Sequence, residues 1–171
     1  MKKEFKEYDE ETLQKIQQTE MEILKDFIEV CEKHNLTYFG IAGTGIGALR
    51  HQGFIPWDDD IDVAMPRDDF ERLVRFIEKE KGDKYLIMDT KHYPNYPLMT
   101  TRITMRGTKF KEEALKSIDA PMGIFLDLYP LDKMSDDPKE AKKQARDAWF
   151  WSKILILRSI PFPMLGFTGW K

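Results

Sequence analysis

The spacing of hydrophobic residues along the chain predicts amphipathic helices separated by short buried strands. Between Thr12 and about His34, apolar side chains recur every three or four positions while Glu and Lys occupy the other face. This pattern predicts a helix that Thr12 caps and Asn35 ends. The same spacing predicts a second helix that Asp68 caps and a last helix over 138–157.

Shorter segments have the composition of strands, either continuous apolar runs or alternating apolar and polar residues. They begin near Tyr38 and cover 60–65, 85–89, 99–106 and 123–132. In the first alternating segment, Asp60 and Asp62 are predicted on one strand face, with Ile61 and Val63 on the other. Helices interleaved with strands over 171 residues predict one α/β domain spanning 1–171, a small mixed sheet flanked by helices.

Composition narrows the class of protein without assigning a function. With 42% hydrophobic residues the chain can bury a core, and a net charge of −3 argues against a protein that coats nucleic acid. The single Cys31 lies on the apolar side of the first helix, which predicts a buried thiol. No apolar run approaches the ~20 residues of a membrane span, and no signal peptide is visible. We therefore expect a cytoplasmic protein, at the inner face of the membrane if the apolar tail at 160–170 contacts lipid.

The candidate catalytic and metal-binding residues cluster at the acidic end of segment 38–65. Asp58, Asp59, Asp60 and Asp62 place four carboxylates within five positions. Ionised carboxylates this close repel one another, so they are stable either in open water or around a bound cation. A solvated acidic loop is one interpretation. The other is an oxygen-ligand site of the kind that Mg²⁺ or another divalent cation prefers.

Two common motifs are excluded here. The aspartates are spaced like the start of an EF-hand loop, but Val63 stands where that loop needs Gly and Asp69 where it needs Glu. Segment 43–48 matches the dinucleotide fingerprint G-x-G-x-x-A. However, Gly53 and Pro56 leave no room for the crossover helix of a dinucleotide-binding unit.

Segment 42–73, AGTGIGALRHQGFIPWDDDIDVAMPRDDFERL, resembles the hallmark block of the LicD family of phosphocholine transferases. The resemblance rests on GT-x-x-G-x-x-R, GFIPWDDDID and the following DDF, and it extends to fukutin and fukutin-related protein. It implies a nucleotidyltransferase-like fold. It also implies transfer of phosphocholine, or a related phospho-alcohol, from CDP-choline to a hydroxyl of a lipopolysaccharide or teichoic acid type of glycan. Proteins of this family generally continue further, so the chain is predicted to be a short or truncated member.

A third carboxylate joins the predicted cation site. Asp127 lies on a predicted strand that is otherwise apolar, where a carboxylate without a partner is costly, and a bound metal would be such a partner. The resemblance agrees, since the superfamily has a third acid on a neighbouring strand. We therefore predict that Asp60, Asp62 and Asp127 are the catalytic, metal-binding residues. Asp127 or Asp58 is the candidate base for the acceptor hydroxyl.

The remaining candidates concern the donor. The resemblance implies that Gly43 and Thr44 contact the nucleotide phosphates, and the amides of a Gly-rich turn before a helix suit that role. Arg50 either pairs with the diphosphate or bridges to the acidic strand. Trp57 contacts a base or cation or fills the core, and Tyr129 is a second ring that can hold a quaternary ammonium. Two alternatives stay open: nucleotidyl transfer with release of pyrophosphate, and a module that binds nucleotide or glycan without turnover.

Overall fold

The computed structural model describes residues 8–112, 115 and 118–159 and contains a mixed sheet flanked by helices. Its helices are α1 (Glu10–His34), α2 (Ala42–His51), α3 (Arg67–Glu80) and α4 (Pro138–Ser159). Its strands are β1 (Phe39–Gly40), β2 (Asp62–Pro66), β3 (Tyr85–Met88), β4 (Thr101–Met105) and β5 (Phe125–Leu131). The predicted α/β class is confirmed.

The sheet has the strand order β1-β2-β5-β4-β3. β2 and β5 are parallel, and the other neighbours are antiparallel. Side chains alternate between the two faces of each strand, so Leu126 and Leu128 lie on the face opposite Asp127. Both leucines belong to the main core with α1 and α3. The sheet therefore has one apolar face under these helices and one face that carries Asp127.

Helix α1 begins earlier than predicted because its cap is a different residue. The carboxylate of Asp9 accepts from the Thr12 amide at 2.8 Å and from the Thr12 hydroxyl at 2.8 Å. Asp9 is thus the N-cap, and the prediction of Thr12 is wrong. Asn35 ends the helix in the left-handed conformation with φ 50°, as predicted. Cys31 is fully buried, also as predicted, and burial raises the pKa of its thiol to about 12.

The acidic strand is shorter than its alternating pattern predicts. β2 begins at Asp62, so Asp60 lies in the preceding loop and not on the strand with it. Pro66 is both the last residue of β2 and the N-cap of α3. Asp68 therefore lies in the first turn of α3 and does not cap it, because Pro66 already occupies the cap position. These corrections place Asp60 on the loop that joins α2 to β2.

Helix α4 leaves large apolar side chains on the surface. Trp149 is 62% exposed and Trp151 is 63% exposed. The apolar tail at 160–170, for which lipid contact is left open, lies outside the described residues. None of the helices in the part that the structure describes is long and apolar enough to cross a membrane.

Candidate active site

Two carboxylates lie side by side on the polar face of the sheet. Asp62 on β2 is the register partner of Asp127 on β5, and both are buried, at 8% and 5% exposure. The amide of Asp127 donates to the carbonyl of Ile61 at 2.9 Å, which fixes the end of the acidic loop against β5. We refer to Asp62 and Asp127 as the strand acids.

Each strand acid has an interaction with a residue of the protein. The Arg102 Nε donates to Asp127 Oδ1 at 3.0 Å, and its guanidinium lies over the Phe125 ring at 3.6 Å. Arg102 is itself 7% exposed, so this ion pair is buried. The Tyr129 side chain interacts with Asp62, and burial together with Asp127 and Asp62 raises the pKa of its hydroxyl. The sequence analysis missed Arg102: Asp127 has a partner in the protein itself.

Three further carboxylates lie on the loop before β2, and we refer to Asp58, Asp59 and Asp60 as the loop acids. Each offers one oxygen within 4.8 Å of the others, and all three are half-buried. Burial and the neighbouring acids, Asp62 first, raise the pKa of Asp60 to about 7. Burial and Asp59 also raise the pKa of Asp58. Among the described residues, no Lys or Arg forms an ion pair with a loop acid.

Glu20 of α1 is a further buried carboxyl on which the charges of these acids act. It is only 1% exposed, and its Oε2 has no hydrogen-bond partner among the described residues. Burial, followed by the charges of Asp60, Asp59, Asp58 and Asp127, raises its pKa to about 10. The sequence analysis missed this residue. The available signal was its position, because a Glu between Ile16 and Ile23 falls on the apolar stripe of the helix.

The Gly-Thr turn is tied directly to the acidic strand. The Thr44 hydroxyl accepts from the Asp62 amide at 2.8 Å, and the Ile41 amide donates to the Asp62 carbonyl at 3.1 Å. Gly43 and Thr44 belong to the first turn of α2 and not to a separate turn before it. A side chain at Gly43 would run into the Asp58 carboxylate, so the glycine allows α2 and the acidic loop to lie in contact.

The other two residues predicted to bind the donor substrate are exposed on the surface. Arg50 is exposed in the last turn of α2 and forms no ion pair in the described part of the chain, so the predicted bridge to the acidic strand is absent there. Trp57 is 76% exposed, which excludes the interpretation that it fills the core. Both side chains are free to meet a ligand.

Comparison with known proteins identifies the family. Residues 35–164 match the family model described as LicD/FKTN/FKRP, nucleotidyltransferase domain. The chain belongs to this family. The resemblance noted in the sequence is thereby confirmed, and the matched range contains every strand acid, every loop acid and the Gly-Thr turn.

Two individual proteins are also similar to this LicD domain in sequence. The chain is 35% identical over 129 residues to "Lipopolysaccharide cholinephosphotransferase LicD" of Haemophilus influenzae, a match covering 75% of this chain and 47% of that protein. It is 44% identical over 72 residues to "Uncharacterized protein RP689" of Rickettsia prowazekii, covering 42% of this chain and 27% of that protein. The chain thus spans about half the length of the Haemophilus relative.

A cavity opens beside the Gly-Thr turn of the LicD domain. Its volume is about 280 Å³, and its walls include Gly43, Thr44, Asp58 and the apolar side chains of Leu24 and Phe54. A larger cavity of about 760 Å³ lies near β3 at the other end of the sheet order, without any strand or loop acid in its lining. Of these two cavities, only the smaller one is lined by one of the loop acids, Asp58.

The acids fit a hard divalent cation. Mg²⁺ takes oxygen ligands at about 2.0–2.1 Å, so two ligands on opposite sides of the ion are about 4.2 Å apart. The loop acids, within 4.8 Å of one another, are close to that spacing before any adjustment. Asp62 and Asp127 are not part of this group of close oxygens, although their charges act on Asp60 and help to raise its pKa.

Proposed function

We propose that this chain carries the site of a metal-dependent transferase. It moves phosphocholine, or a related phospho-alcohol, from a CDP-activated donor to a hydroxyl of a cell-surface glycan of the lipopolysaccharide or teichoic acid type. The observation that carries the proposal is the pairing of Asp62 with Asp127 beside the Gly-Thr turn. The 35% identity to a protein named as a lipopolysaccharide cholinephosphotransferase supports the substrate class. We place this step on the cytoplasmic side of the membrane.

Asp60, Asp62 and Asp127 would hold the cation. When bound, a divalent cation offsets negative charge on the phosphates and aligns them, which is most of what phosphoryl transfer requires. Arg102 holds Asp127 in place through its Nε at 3.0 Å, so the oxygens of Asp127 keep their direction before a ligand arrives.

Gly43 and Thr44 would receive the donor phosphates. The first amides of a helix lack partners within the helix and point toward its N-terminal end, where they favour an anion. No side chain caps α2, because the N-cap is Ile41. Arg50, exposed on the same helix, would pair with an outer phosphate oxygen as a planar fork.

In the reaction, the acceptor oxygen attacks the phosphorus that carries choline. The bond from that phosphorus to the bridging oxygen breaks, CMP leaves, and the acceptor proton passes to a carboxylate. Two candidates for this base are Asp58 and Asp127. Arg102 donates to both oxygens of Asp127, at 3.0 and 3.4 Å, whereas Asp58 is half-buried and its pKa is raised. These contacts favour Asp58 as the base.

The choline group has two places to bind. The cavity beside Asp58 combines apolar walls with a carboxylate, which suits three methyl groups around a positive charge. Trp57 or Tyr129 would hold the same group by cation–π attraction, worth about 0.5–2 kcal/mol. Of the two rings, Trp57 is the more exposed.

Titration with CDP-choline, with and without Mg²⁺, tests the proposal. The purified chain is compared with an Asp60→Ala, Asp62→Ala double variant and with a control in which the exposed Asp68 and Asp83 are both replaced by Ala. Metal-dependent binding that only the first variant loses is the expected result. Unchanged binding in that variant would remove these acids from donor recognition.

Product analysis separates the proposed reaction from its alternatives. CMP released from CDP-choline in the presence of a glycan acceptor is expected for phosphocholine transfer. Pyrophosphate released from CTP would indicate nucleotidyl transfer with the same acids and the same turn. Metal-dependent nucleotide binding without any product would indicate a binding module.

A further inference from the structure

Glu20 takes no part in any interaction assigned above, although it is the most deeply buried carboxyl of α1. It is 1% exposed, and none of the described residues hydrogen-bonds its Oε2. A buried carboxyl oxygen without a hydrogen-bond partner costs free energy that an apolar side chain at the same position would not. The positions before and after it on the buried face are Ile16 and Ile23, so an apolar residue would fit the pattern of the helix.

The surroundings of Glu20 are acidic on the side of the site. The charges that act on it most strongly belong to Asp60, Asp59, Asp58 and Asp127. One turn earlier on α1, the Gln17 side chain donates to the Asp58 carbonyl at 2.8 Å and fastens the acidic loop to the helix. Glu20 thus lies on a helix that is itself attached to the acidic loop, one turn from the point of attachment.

We propose that Glu20 is a positioning residue for the divalent cation bound at Asp60, accepting a hydrogen bond from a water molecule that the cation carries. This inference rests on the cation site of the proposed function. Mg²⁺ dehydrates reluctantly and keeps several waters, and carboxylates that bind such waters orient the ion.

Contact through water is the form of interaction that the proposal assigns to Glu20. The side chain lies on the buried face of α1, whereas the loop acids lie on the segment before β2. A water between ion and carboxylate would join the two. Without a cation, the same side chain lacks a partner for one oxygen.

Mn²⁺ binding to the full chain, followed by electron paramagnetic resonance of the free ion, tests the inference. The variants are Glu20→Gln, which keeps the shape, and Glu20→Met, which removes the polar group. Glu32→Gln is the matched control, since it removes an exposed carboxylate from the same helix. We expect both Glu20 variants to weaken Mn²⁺ binding about 10- to 100-fold, and the control to bind like the original chain.

Thermal unfolding without metal distinguishes positioning from a structural role. For a positioning residue, Glu20→Met should raise Tm in the absence of metal while weakening Mn²⁺ binding, because it removes an unpaired buried group. Equal Mn²⁺ affinity in the original chain and both variants would overturn the inference and leave the cation site standing. Failure of the original chain to bind Mn²⁺ would overturn the cation site, and the inference with it.

Discussion

The strand acids and the loop acids, which we propose form one site, differ in the partners that the protein gives them. Asp127 has Arg102 as a partner, and the Asp62 amide donates to the Thr44 hydroxyl. The loop acids have no Lys or Arg partner among the described residues, and Asp60 has a pKa raised to about 7. The strand acids are thus fixed by the fold, whereas the loop acids are poised for a positive ligand that the chain does not supply.

This difference separates the stability of the site from its ligand binding. Substitutions around the strand acids should change the free energy of unfolding whether or not a cation is present. Substitutions around the loop acids should leave the free energy of unfolding unchanged, or raise it, when no cation is present. The same substitutions should weaken cation binding.

The largest expected effect comes from removing the partner of a strand acid. Arg102→Met leaves the buried Asp127 carboxylate unpaired, which should lower the free energy of unfolding by about 3–5 kcal/mol. Urea unfolding measures this change. Arg67→Met is the matched control, because the Arg67–Asp132 pair is exposed, with side chains at 39% and 63%, and should contribute at most about 1 kcal/mol. Equal losses in the two variants would contradict the special status of Asp127.

Two glycines of α2 give the next contrast. A methyl group at Gly47 would meet the backbone carbonyl of Gly53, whereas one at Gly43 would meet the Asp58 carboxylate, which can rotate away. Gly47→Ala should therefore lower the free energy of unfolding by about 1–3 kcal/mol. Gly43→Ala should change stability less and instead weaken Mn²⁺ binding by displacing Asp58. Urea unfolding and Mn²⁺ titration of both variants check this, and the reverse pattern would contradict it.

The pH dependence of stability should report the loop acids together with Glu20, whose pKa burial and the neighbouring acids also raise. A carboxyl whose pKa is raised on folding stabilises the native state below its unfolded pKa, and this contribution disappears as the pH rises through the folded pKa. For Asp60 the interval is from its ordinary value of 3.8 to about 7. In EDTA, the urea midpoint should therefore fall between pH 5 and pH 7, and less so in Asp60→Asn.

The matched control for the pH experiment is Asp83→Asn, which changes an exposed carboxylate far from the loop acids in sequence. In this control, the urea midpoint should fall with pH as steeply as it does in the original chain. Excess Mg²⁺ should reduce the slope, because the cation favours the ionised loop acids. A slope that is the same in Asp60→Asn as in the original chain would show that Asp60 does not titrate in this range.

The smallest effect is expected for the exposed Trp57. Trp57→Ala should leave stability nearly unchanged, because the side chain is 76% exposed. If the ring holds the choline group, the affinity for CDP-choline should fall about two- to fivefold. Trp149→Ala, also exposed, on α4, should leave that affinity unchanged. Calorimetric titration of both variants decides, and an unchanged affinity in Trp57→Ala would favour the cavity beside Asp58.

Local patterns predicted the elements, and long-range contacts decided the details of the site. Asn35 could be recognised as a helix end because its left-handed conformation depends on a single residue. The alternation at 123–132 placed Asp127 on a strand, but its pairing with Arg102 depends on the register between β4 and β5, which no local pattern contains. Glu20 was overlooked for a related reason: the hydrophobic period identifies the buried face without showing what that face meets.

The parallel pairing of β2 with β5 has a consequence for how the domain acquires its site. Asp62 and Asp127 are far apart in the sequence, and the other described strands lie between them or before them. Contacts between distant segments close slowly during folding, because the intervening chain must first be ordered. The hairpin of β3 and β4 can form locally, whereas the two acids meet only when β5 inserts between β2 and β4. The pairing of the two strand acids is therefore expected to form late in folding.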